Sequence, residues 1–305
     1  MENNKLPLVS VIIPTFGSNT NPCRAIDSVF SQSYHAVEVV VVDDNGLDTP
    51  QQKHNCDLFK KYCENKYFKY IVHKSNLNGS VARNTGVLNS HGDYLCFLDD
   101  DDFFSDQYKI EKQIKASILL DDSYAGTFSS LRIFRQSSTK PQIVKANDKG
   151  NVLIKFIKSK MSIGTAAPII TRRSFEEIGG FRESFSHHQD WEFFARLLDK
   201  YKLKAVPTAF YDRCYKTIPK RDLSVRKQRM DKYVELMKTE ISSLSKKTIN
   251  KLMKEKYYPL YFASFRDHQK EIRKDINRQN RFTICDYTKL GLFAFVYFFN
   301  RIFNR

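Results

Sequence analysis

The sequence predicts an α/β fold in which a mixed sheet is flanked by helices and followed by a basic, mostly helical extension. Short β-branched or aromatic runs alternate with helical patterns, 41% of the 305 residues are hydrophobic, and a lysine- and arginine-rich stretch begins near residue 220. A chain of this length and apolar content can bury a core in one large domain or in one domain with an appendage. We therefore predict two parts, residues 1–218 and residues 219–305.

Four runs in the first half of the chain are compact enough to be buried strands of a parallel sheet. They are residues 9–13, 38–42, 68–72 and 94–98. Between the first two predicted strands, apolar residues recur at helical spacing, namely Ala25, Ile26, Val29 and Phe30. A polar stretch over residues 50–65 follows the second strand, and a further helical pattern over residues 80–90 follows the third. This alternation predicts right-handed crossovers onto one sheet. Ligands of such sheets bind beyond the carboxyl ends of the strands.

The second half of the chain is less regular. We expect a helix that carries Ile110, Ile114 and Ile118, strands over residues 125–134, 166–171 and 205–211, a polar loop over residues 136–149, and a short helix over residues 173–178. Gly179 and Gly180 predict a turn. A helix that starts near Asp190 carries Trp191, Phe194, Ala195 and Leu198 on one apolar face.

Basic side chains outnumber acidic ones, with 50 Lys and Arg against 34 Asp and Glu and a net charge of +16. The excess is concentrated between residues 200 and 281, which hold 23 basic and 9 acidic side chains. A field of this sign attracts phosphate-bearing ligands, nucleic acid or an anionic membrane, and the sign alone does not choose among them. Solvated helix faces are the ordinary explanation, and polybasic helices that lie on an anionic leaflet are the functional alternative.

Cysteine spacing and the length of the apolar runs indicate the cellular compartment that we expect for this protein. The six cysteines contain no C-x-x-C pair, which excludes a zinc ribbon and a dense disulfide scaffold. The longest apolar run, residues 290–299, is about half of the roughly 20 residues that a spanning helix needs. Pro14 interrupts the amino-terminal apolar run, which does not fit a secretory signal peptide. We expect a cytoplasmic protein, with peripheral contact at the cytoplasmic face of a membrane as an option.

The strongest chemical feature is the run Asp99-Asp100-Asp101-Asp102, which directly follows the fourth predicted strand. Adjacent carboxylates repel one another, so a fold tolerates them where a hard cation, a helix amino terminus or open water relieves the repulsion. A strand end that faces a cleft favours Mg²⁺ or Mn²⁺, which neutralises a departing diphosphate. The alternative is that the run caps the next helix.

A second acidic feature, Asp43-Asp44-Asn45, follows the second predicted strand. A carboxylate at such a position accepts a hydrogen bond from a ribose hydroxyl or a base N–H in other nucleotide-binding folds. An ordinary turn is the alternative, because this composition is good turn chemistry.

Five blocks of the sequence together resemble the motifs of glycosyltransferase family 2. In order they are VSVIIPTF (9–16), VVVVDDN (39–45), NLNGSVARNTG (76–86), HGDYLCFLDDDD (91–102), and GGF through QDWEFFARL (179–197). The resemblance covers roughly residues 8–212. It implies a GT-A fold, that is, a nucleotide-sugar-binding α/β sheet with an Asp-x-Asp metal motif.

The resemblance also implies roles for individual residues. Around the nucleotide-sugar it places Pro14, Thr15, Phe16, Asp44, Arg83, Asp99 and Asp100. Asp101 and Asp99 match the metal-binding acids, with Asp101 the more direct ligand and Asp102 behind it. Without the resemblance, Arg83 and Asn84 would be interpreted as an exposed helix face and its cap.

Asp190 matches the carboxylate that serves the family as general base. Such a base removes the proton of the acceptor hydroxyl while that oxygen attacks the anomeric carbon. The family often has Glu-Asp at this point, whereas this chain has Gln189-Asp190, which leaves the base in place and puts an acceptor contact of the preceding acid in doubt. The acceptor region implied by the same block comprises Gly179, Gly180, Gln189 and Trp191. His187 and His188 lie beside it, and no third ligand at zinc spacing accompanies them.

These residues predict an inverting glycosyltransferase that depends on Mn²⁺ or Mg²⁺. We expect a UDP-sugar donor, a hydroxyl of a glycan or lipid-linked glycan as acceptor, no nucleic-acid partner, and a homo-oligomer through the carboxyl-terminal helices as an option. The rival hypothesis is a catalytically inactive, basic module that binds membrane or nucleic acid. A nucleotidyltransferase is a closer alternative, but the glycine-rich phosphate loop of that class is missing near the amino terminus.

Overall fold

The structure, a computed structural model, describes residues 6–17, 21–135, 140–158, 163–215, 222–267, 269–283 and 286. The chain divides into two compact units, Met1–Thr217 and Ile218–Arg305.

The first unit is built on a sheet of eight strands in the described residues. Its strands are β1 (Val9–Thr15), β2 (Val37–Asp43), β3 (Phe68–Val72), β4 (Tyr94–Phe97), β5 (Tyr124–Arg135), β6 (Gln142–Val144), β7 (Pro168–Thr171) and β8 (Lys202–Tyr215). Its helices are α1 (Pro22–Phe30), α2 (Pro50–Phe59), α3 (Gly79–Leu88), α4 (Lys109–Ser117), α5 (Val152–Ile157), α6 (Arg172–Glu177) and α7 (Gln189–Lys200).

The amino-terminal half of the sheet is parallel, as the alternation of strands and helices predicted. The order along the sheet is β3-β2-β1-β4-β7-β5-β6, and β8 pairs with β5. Strands β1, β2, β3 and β4 run in the same direction, so their carboxyl ends meet at one edge. Helix α3 packs closely on β1, because a Cβ at Gly86 would lie 2.2 Å from the Ile12 side chain.

The second half of the sheet departs from the prediction in two places. Strand β6 lies inside residues 136–149, which we had predicted to be a loop; its three residues pair antiparallel with β5. Strand β8 extends four residues beyond Tyr211, the predicted end, because it continues to pair with β5 as far as Tyr215. Strand β7 is antiparallel to both β4 and β5 and joins the two halves.

An aromatic cluster beneath the strand ends ties three segments together. Phe97 of β4 lies 5.0 Å from Phe181, measured between ring centroids, and Phe181 stacks on Phe193 of α7 at 4.1 Å. All three rings are buried. Helix α7 is therefore buried over more of its surface than the single apolar face that we predicted, and Trp191 is only half-buried.

The second unit consists of α8 (Leu223–Glu240), α9 (Lys246–Lys256), α10 (Tyr258–Arg266) and α11 (Lys270–Asn280) in its described residues. Lys227 of α8 forms ion pairs with Asp231 at 2.8 Å and with Asp275 of α11 at 2.6 Å. In the parts of the chain that the structure describes, no helix combines the length and the apolar character needed to cross a bilayer. The predicted apolar run over residues 290–299 lies outside the described residues.

Candidate active site

The carboxyl ends of β1 and β4 are joined directly by a hydrogen bond between site residues. The hydroxyl of Thr15 donates to Oδ2 of Asp100 at 2.6 Å, and both side chains are buried. Pro14 lies next to Thr15 in β1 and is half-buried, whereas 60% of Phe16 is exposed just beyond the strand. The β1 end therefore presents an aromatic ring to solvent beside a buried polar contact.

The four acids that follow β4 have different environments. Asp99 is paired with Arg83 at 2.7 Å, and Asp102 is buried with its Oδ2 3.5 Å from Nε of Arg213. The carbonyl of Asp101 accepts a hydrogen bond from Arg24 at 2.8 Å. The fold thus relieves the repulsion within the run by surrounding it with guanidinium groups.

The alternative that this acidic run caps the next helix is wrong. Helix α4 begins at Lys109, its N-cap residue is Tyr108, and no side chain makes a capping hydrogen bond there.

Asp44 is held inside the protein. Its carboxylate accepts hydrogen bonds from the backbone N–H groups of Leu77 at 2.8 Å and Asn78 at 2.9 Å, and it lies 2.7 Å from Nδ1 of His73. Asp44 therefore orders the loop that leads into α3. Its side chain is only 3% exposed, and the contact with a nucleotide base stays a prediction.

Arg83 and Asn84 of α3 are not an exposed face. The Arg83 guanidinium bridges Asp99 and the side-chain oxygen of Gln189, at 2.7 and 2.9 Å. Asn84 donates to the carbonyl of Phe181 at 2.8 Å and accepts from its N–H at 3.0 Å. Helix α3 thus connects the acidic run to the start of α7.

A polar cavity of about 270 Å³ lies where these segments meet. It is lined by Arg83, Asp99, Thr165, Ser186, His187, His188, Gln189, Asp190 and Arg213. The residues come from α3, the β4 end, the segments before β7 and α7, the first turn of α7, and β8, so side chains that are distant in sequence meet at this cavity.

Asp190 lies in the first turn of α7 and faces this cavity. Burial raises the pKa of its carboxyl, the positive charges of Arg83 and Arg213 oppose that rise, and the negative charge of Asp99 adds to it. The balance leaves the pKa above the ordinary value. A carboxylate with a raised pKa is a stronger proton acceptor than an exposed aspartate, which suits a general base.

Gln189 places a neutral amide where the family often has a carboxylate. Its oxygen accepts from Arg83, and its nitrogen donates to the carbonyl of Phe185 at 3.0 Å. Because Gln189 carries no charge, it leaves the full positive charge of Arg83 to act on Asp99 and Asp190.

Two residues of β8 that belong to no motif identified in the sequence also lie at the site. Arg213 lines the cavity, and the Tyr211 hydroxyl is fully buried and has no hydrogen-bond partner among the residues that the structure describes. Gly164 is required beside them, since a Cβ there would lie 1.8 Å from the Tyr211 hydroxyl. The alternation of side chains along a strand puts residues 211 and 213 on one face, and a longer β8 prediction would have found Arg213.

Part of the predicted acceptor region lies outside the cavity lining. Gly179 and Gly180 form the predicted turn with φ of +76° and +66°, conformations that favour glycine. The Gly180 carbonyl accepts from Arg196 of α7 at 2.7 Å, so this turn positions the helix. Trp191 stacks on His188, with ring centroids 4.9 Å apart.

The acidic run has the donor chemistry for a divalent cation. Asp99 and Asp101 are partly exposed carboxylates, which are the ligands that Mg²⁺ and Mn²⁺ prefer. Across the described ranges, no group of three or more His, Cys, Asp or Glu side chains is arranged as a metal site. The two carboxylates therefore fit a cation as part of its ligand set, and Mg²⁺ in proteins commonly takes other ligands from phosphates and water.

Comparison with known proteins places this geometry in a family. The family model described as Glycosyl transferase family 2 matches residues 10–179. The chain is 28% identical over 211 residues to the amylovoran biosynthesis glycosyltransferase AmsB of Erwinia amylovora, which covers 66% of this chain and 68% of that protein. It is also 28% identical over 198 residues to an uncharacterized glycosyltransferase of Rickettsia felis, covering 63% of this chain. The chain spans only 31% of that relative's length.

Two solved structures share the fold. S. aureus TarS in complex with UDP superposes with a TM-score of 0.57 at 19% identity, covering 81% of this chain and 70% of that chain. The mannosyltransferase PcManGT of Pyrobaculum calidifontis, in complex with GDP-Man and Mn²⁺, gives a TM-score of 0.56 at 17% identity, covering 96% of this chain and 81% of that chain. These likenesses confirm the predicted GT-A fold.

Proposed function

Because the chain belongs to glycosyl transferase family 2, we propose that it transfers a sugar from a UDP-sugar to a hydroxyl of a glycan or lipid-linked glycan in polysaccharide biosynthesis. The observation that carries this proposal is Asp190, a carboxylate of raised pKa in a polar cavity that also contains Asp99, Arg83 and Arg213. One relative, AmsB, is by its name an enzyme of amylovoran biosynthesis. We propose that this chain likewise acts in the biosynthesis of a polysaccharide.

Asp190 is the proposed general base. Its carboxylate takes the proton of the acceptor hydroxyl while the acceptor oxygen forms a bond to the anomeric carbon and the bond to the diphosphate breaks. Attack from the side opposite the leaving diphosphate inverts the anomeric centre. The cavity supports this role because Arg83 and Arg213 line it together with Asp190, and their positive charges favour the ionised carboxylate that accepts a proton.

We propose that arginine side chains of the chain supply part of the positive charge that stabilises the departing diphosphate. Arg83 and Arg213 line the cavity, and guanidinium groups recognise phosphate oxygens through paired N–H donors. Mn²⁺ or Mg²⁺, when held by Asp99 and Asp101, would supply further neutralisation of that charge. Fixed cations of this kind favour the state in which the diphosphate carries the most negative charge.

The nucleotide is proposed to bind at the carboxyl ends of β1 and β2. Phe16 offers an exposed ring beside the β1 end, and Thr15 fixes Asp100 near it. TarS was solved with UDP and UDP-GlcNAc, and PcManGT with GDP-Man. These ligands support a nucleotide-diphosphate donor, and a uridine nucleotide is the one we propose.

Nucleotide release from a panel of UDP-, GDP- and CMP-sugars tests this function without knowledge of the acceptor. The full chain is incubated with each donor in Mn²⁺, in Mg²⁺ and in chelator, and free nucleotide is measured. We expect slow, cation-dependent hydrolysis of one UDP-sugar. Absence of both hydrolysis and binding for every donor would contradict the proposal and favour the rival, an inactive basic module.

A further inference from the structure

A second cavity, of about 540 Å³, lies within the carboxyl-terminal unit and has no part in the proposed reaction. Helices α8, α9, α10 and α11 and residues after α11 contribute its lining. The basic residues of the lining are Lys238, Lys251, Lys254 and Arg281, and the acidic ones are Glu255 and Asp286. Cations thus outnumber carboxylates around a concave surface.

The negative charge of the buried carboxylate in this lining is already compensated within the protein. Asp286 is buried and forms an ion pair with Lys254 at 2.5 Å. It also accepts hydrogen bonds from the Tyr258 hydroxyl and the Thr283 hydroxyl, each at 2.7 Å. Because Asp286 is committed to these partners, it does not offset the charge of the other cations.

After the pair of Lys254 and Asp286, the lining still holds three basic side chains and one carboxylate, Glu255. Lys238, Lys251 and Arg281 are exposed, and in the part of the unit that the structure describes none of their side chains has a carboxylate within 4 Å. On α9, Lys247 stands four residues before Lys251 and Glu255 four residues after it, so Lys251 has one neighbour of like charge and one of opposite charge along the helix. The lining as a whole keeps an excess of positive charge, which an anion in the cavity would compensate.

The lining also provides neutral donors suited to an oxyanion. The side-chain amides of Asn250 and Gln279 are exposed at the cavity. Ammonium and guanidinium groups combined with amide N–H donors are the chemistry that recognises phosphate. The volume exceeds that of one phosphate and lies in the usual range for organic ligands.

We propose that this cavity is a binding site for a phosphate or diphosphate group carried by a larger molecule. Lys238, Lys251 and Arg281 contact the phosphate oxygens, and Asn250 and Gln279 donate the neutral hydrogen bonds. The group belongs either to a soluble phosphorylated molecule or to an anionic lipid headgroup. Binding here is independent of sugar transfer, so its failure and that of the proposed function are separate results.

The test compares two full-chain variants that change charge equally. The pocket variant is Lys238→Glu/Lys251→Glu, and the control is Lys246→Glu/Lys270→Glu, whose exposed lysines lie outside the lining. Inorganic pyrophosphate is titrated calorimetrically in chelator, and vesicles of phosphatidylcholine with and without phosphatidylglycerol are tested by cosedimentation. Thermal melting checks folding, and Lys238→Gln/Lys251→Gln provides a neutral second pocket variant.

We expect the pocket variant, and not the control, to weaken binding by about tenfold or more, because each charge reversal replaces an attraction to the anion by a repulsion. Selective loss of pyrophosphate binding assigns the site to soluble phosphorylated molecules. Selective loss of cosedimentation with phosphatidylglycerol assigns it to lipid headgroups. Equal behaviour of the pocket and control variants with both probes would overturn the proposal.

Discussion

The two units carry positive charge in different ways. In the first unit, Arg83 is fixed between Asp99 and Gln189 by hydrogen bonds of 2.7 and 2.9 Å, and it is only 8% exposed. In the second, Lys238 and Lys251 are exposed at a cavity whose lining also holds Glu255 and Asp286, and neither lysine forms an ion pair within the part of the unit that the structure describes. A guanidinium held in one place can act on a particular bond, whereas mobile ammonium groups attract any anion. The comparison therefore distinguishes an arginine that the fold holds in one position from exposed lysines that contribute only a general positive charge.

The largest expected effect is that of Asp190→Asn, which keeps the shape of the base and removes its proton affinity. We expect kcat for sugar transfer to fall by about a hundredfold or more, with donor affinity nearly unchanged. Exposed Asp57 of α2, changed to Asn, is the matched control. A turnover for Asp190→Asn close to that of the Asp57→Asn control would remove Asp190 from the role of base.

Loss of activity in this variant is not expected to reflect unfolding. The pKa of Asp190 is raised in the folded protein, so the folded state binds more protons than the unfolded state between the two pKa values, and stability falls as pH rises through that window. Above it, the ionised side chain lowers stability. The neutral Asp190→Asn variant should therefore melt no lower than the parent protein at neutral pH.

A smaller effect is expected from Gln189→Glu, which restores the acid that the family often has. A carboxylate at this position would share Arg83 and add negative charge beside Asp190, so the pKa of Asp190 should rise further. The rate depends on ionised Asp190, and the acid limb of the pH–rate profile should move to higher pH. Profiles of parent and variant measured side by side check this. An acid limb that stays in place or moves to lower pH would show that Arg83 does not act on Asp190.

Much of the first unit could be predicted from sequence, because parallel strands buried on both faces are continuous apolar runs. The four predicted strands agree with β1 to β4 within two residues at each end. Strand β6 was missed because its three residues lie in a polar, lysine-rich stretch at the edge of the sheet, where burial does not select apolar residues.

The contents of the site were harder to predict than its position. The sequence identified the acidic run and Asp190, yet the partners of Asp44 lie 29 to 34 residues further along the chain. Arg213 stands one residue beyond the resemblance and two beyond the predicted end of β8. Such contacts depend on how distant segments pack, which short sequence patterns do not encode. For the second unit, the sequence showed charge and helices but not the cavity between them.

Titration of UDP into the full chain tests the central claim most directly, namely that the strand-end acids with a divalent cation hold the donor nucleotide. The titration is done with Mn²⁺ and with chelator, on the parent protein, on Asp101→Asn, and on Lys246→Glu/Lys270→Glu. We predict binding that requires Mn²⁺, is lost in Asp101→Asn, and is unchanged when the exposed lysines of the second unit are reversed. UDP binding that persists in chelator, weakens steeply with salt and falls with the lysine reversals would contradict the account and favour a basic binding module.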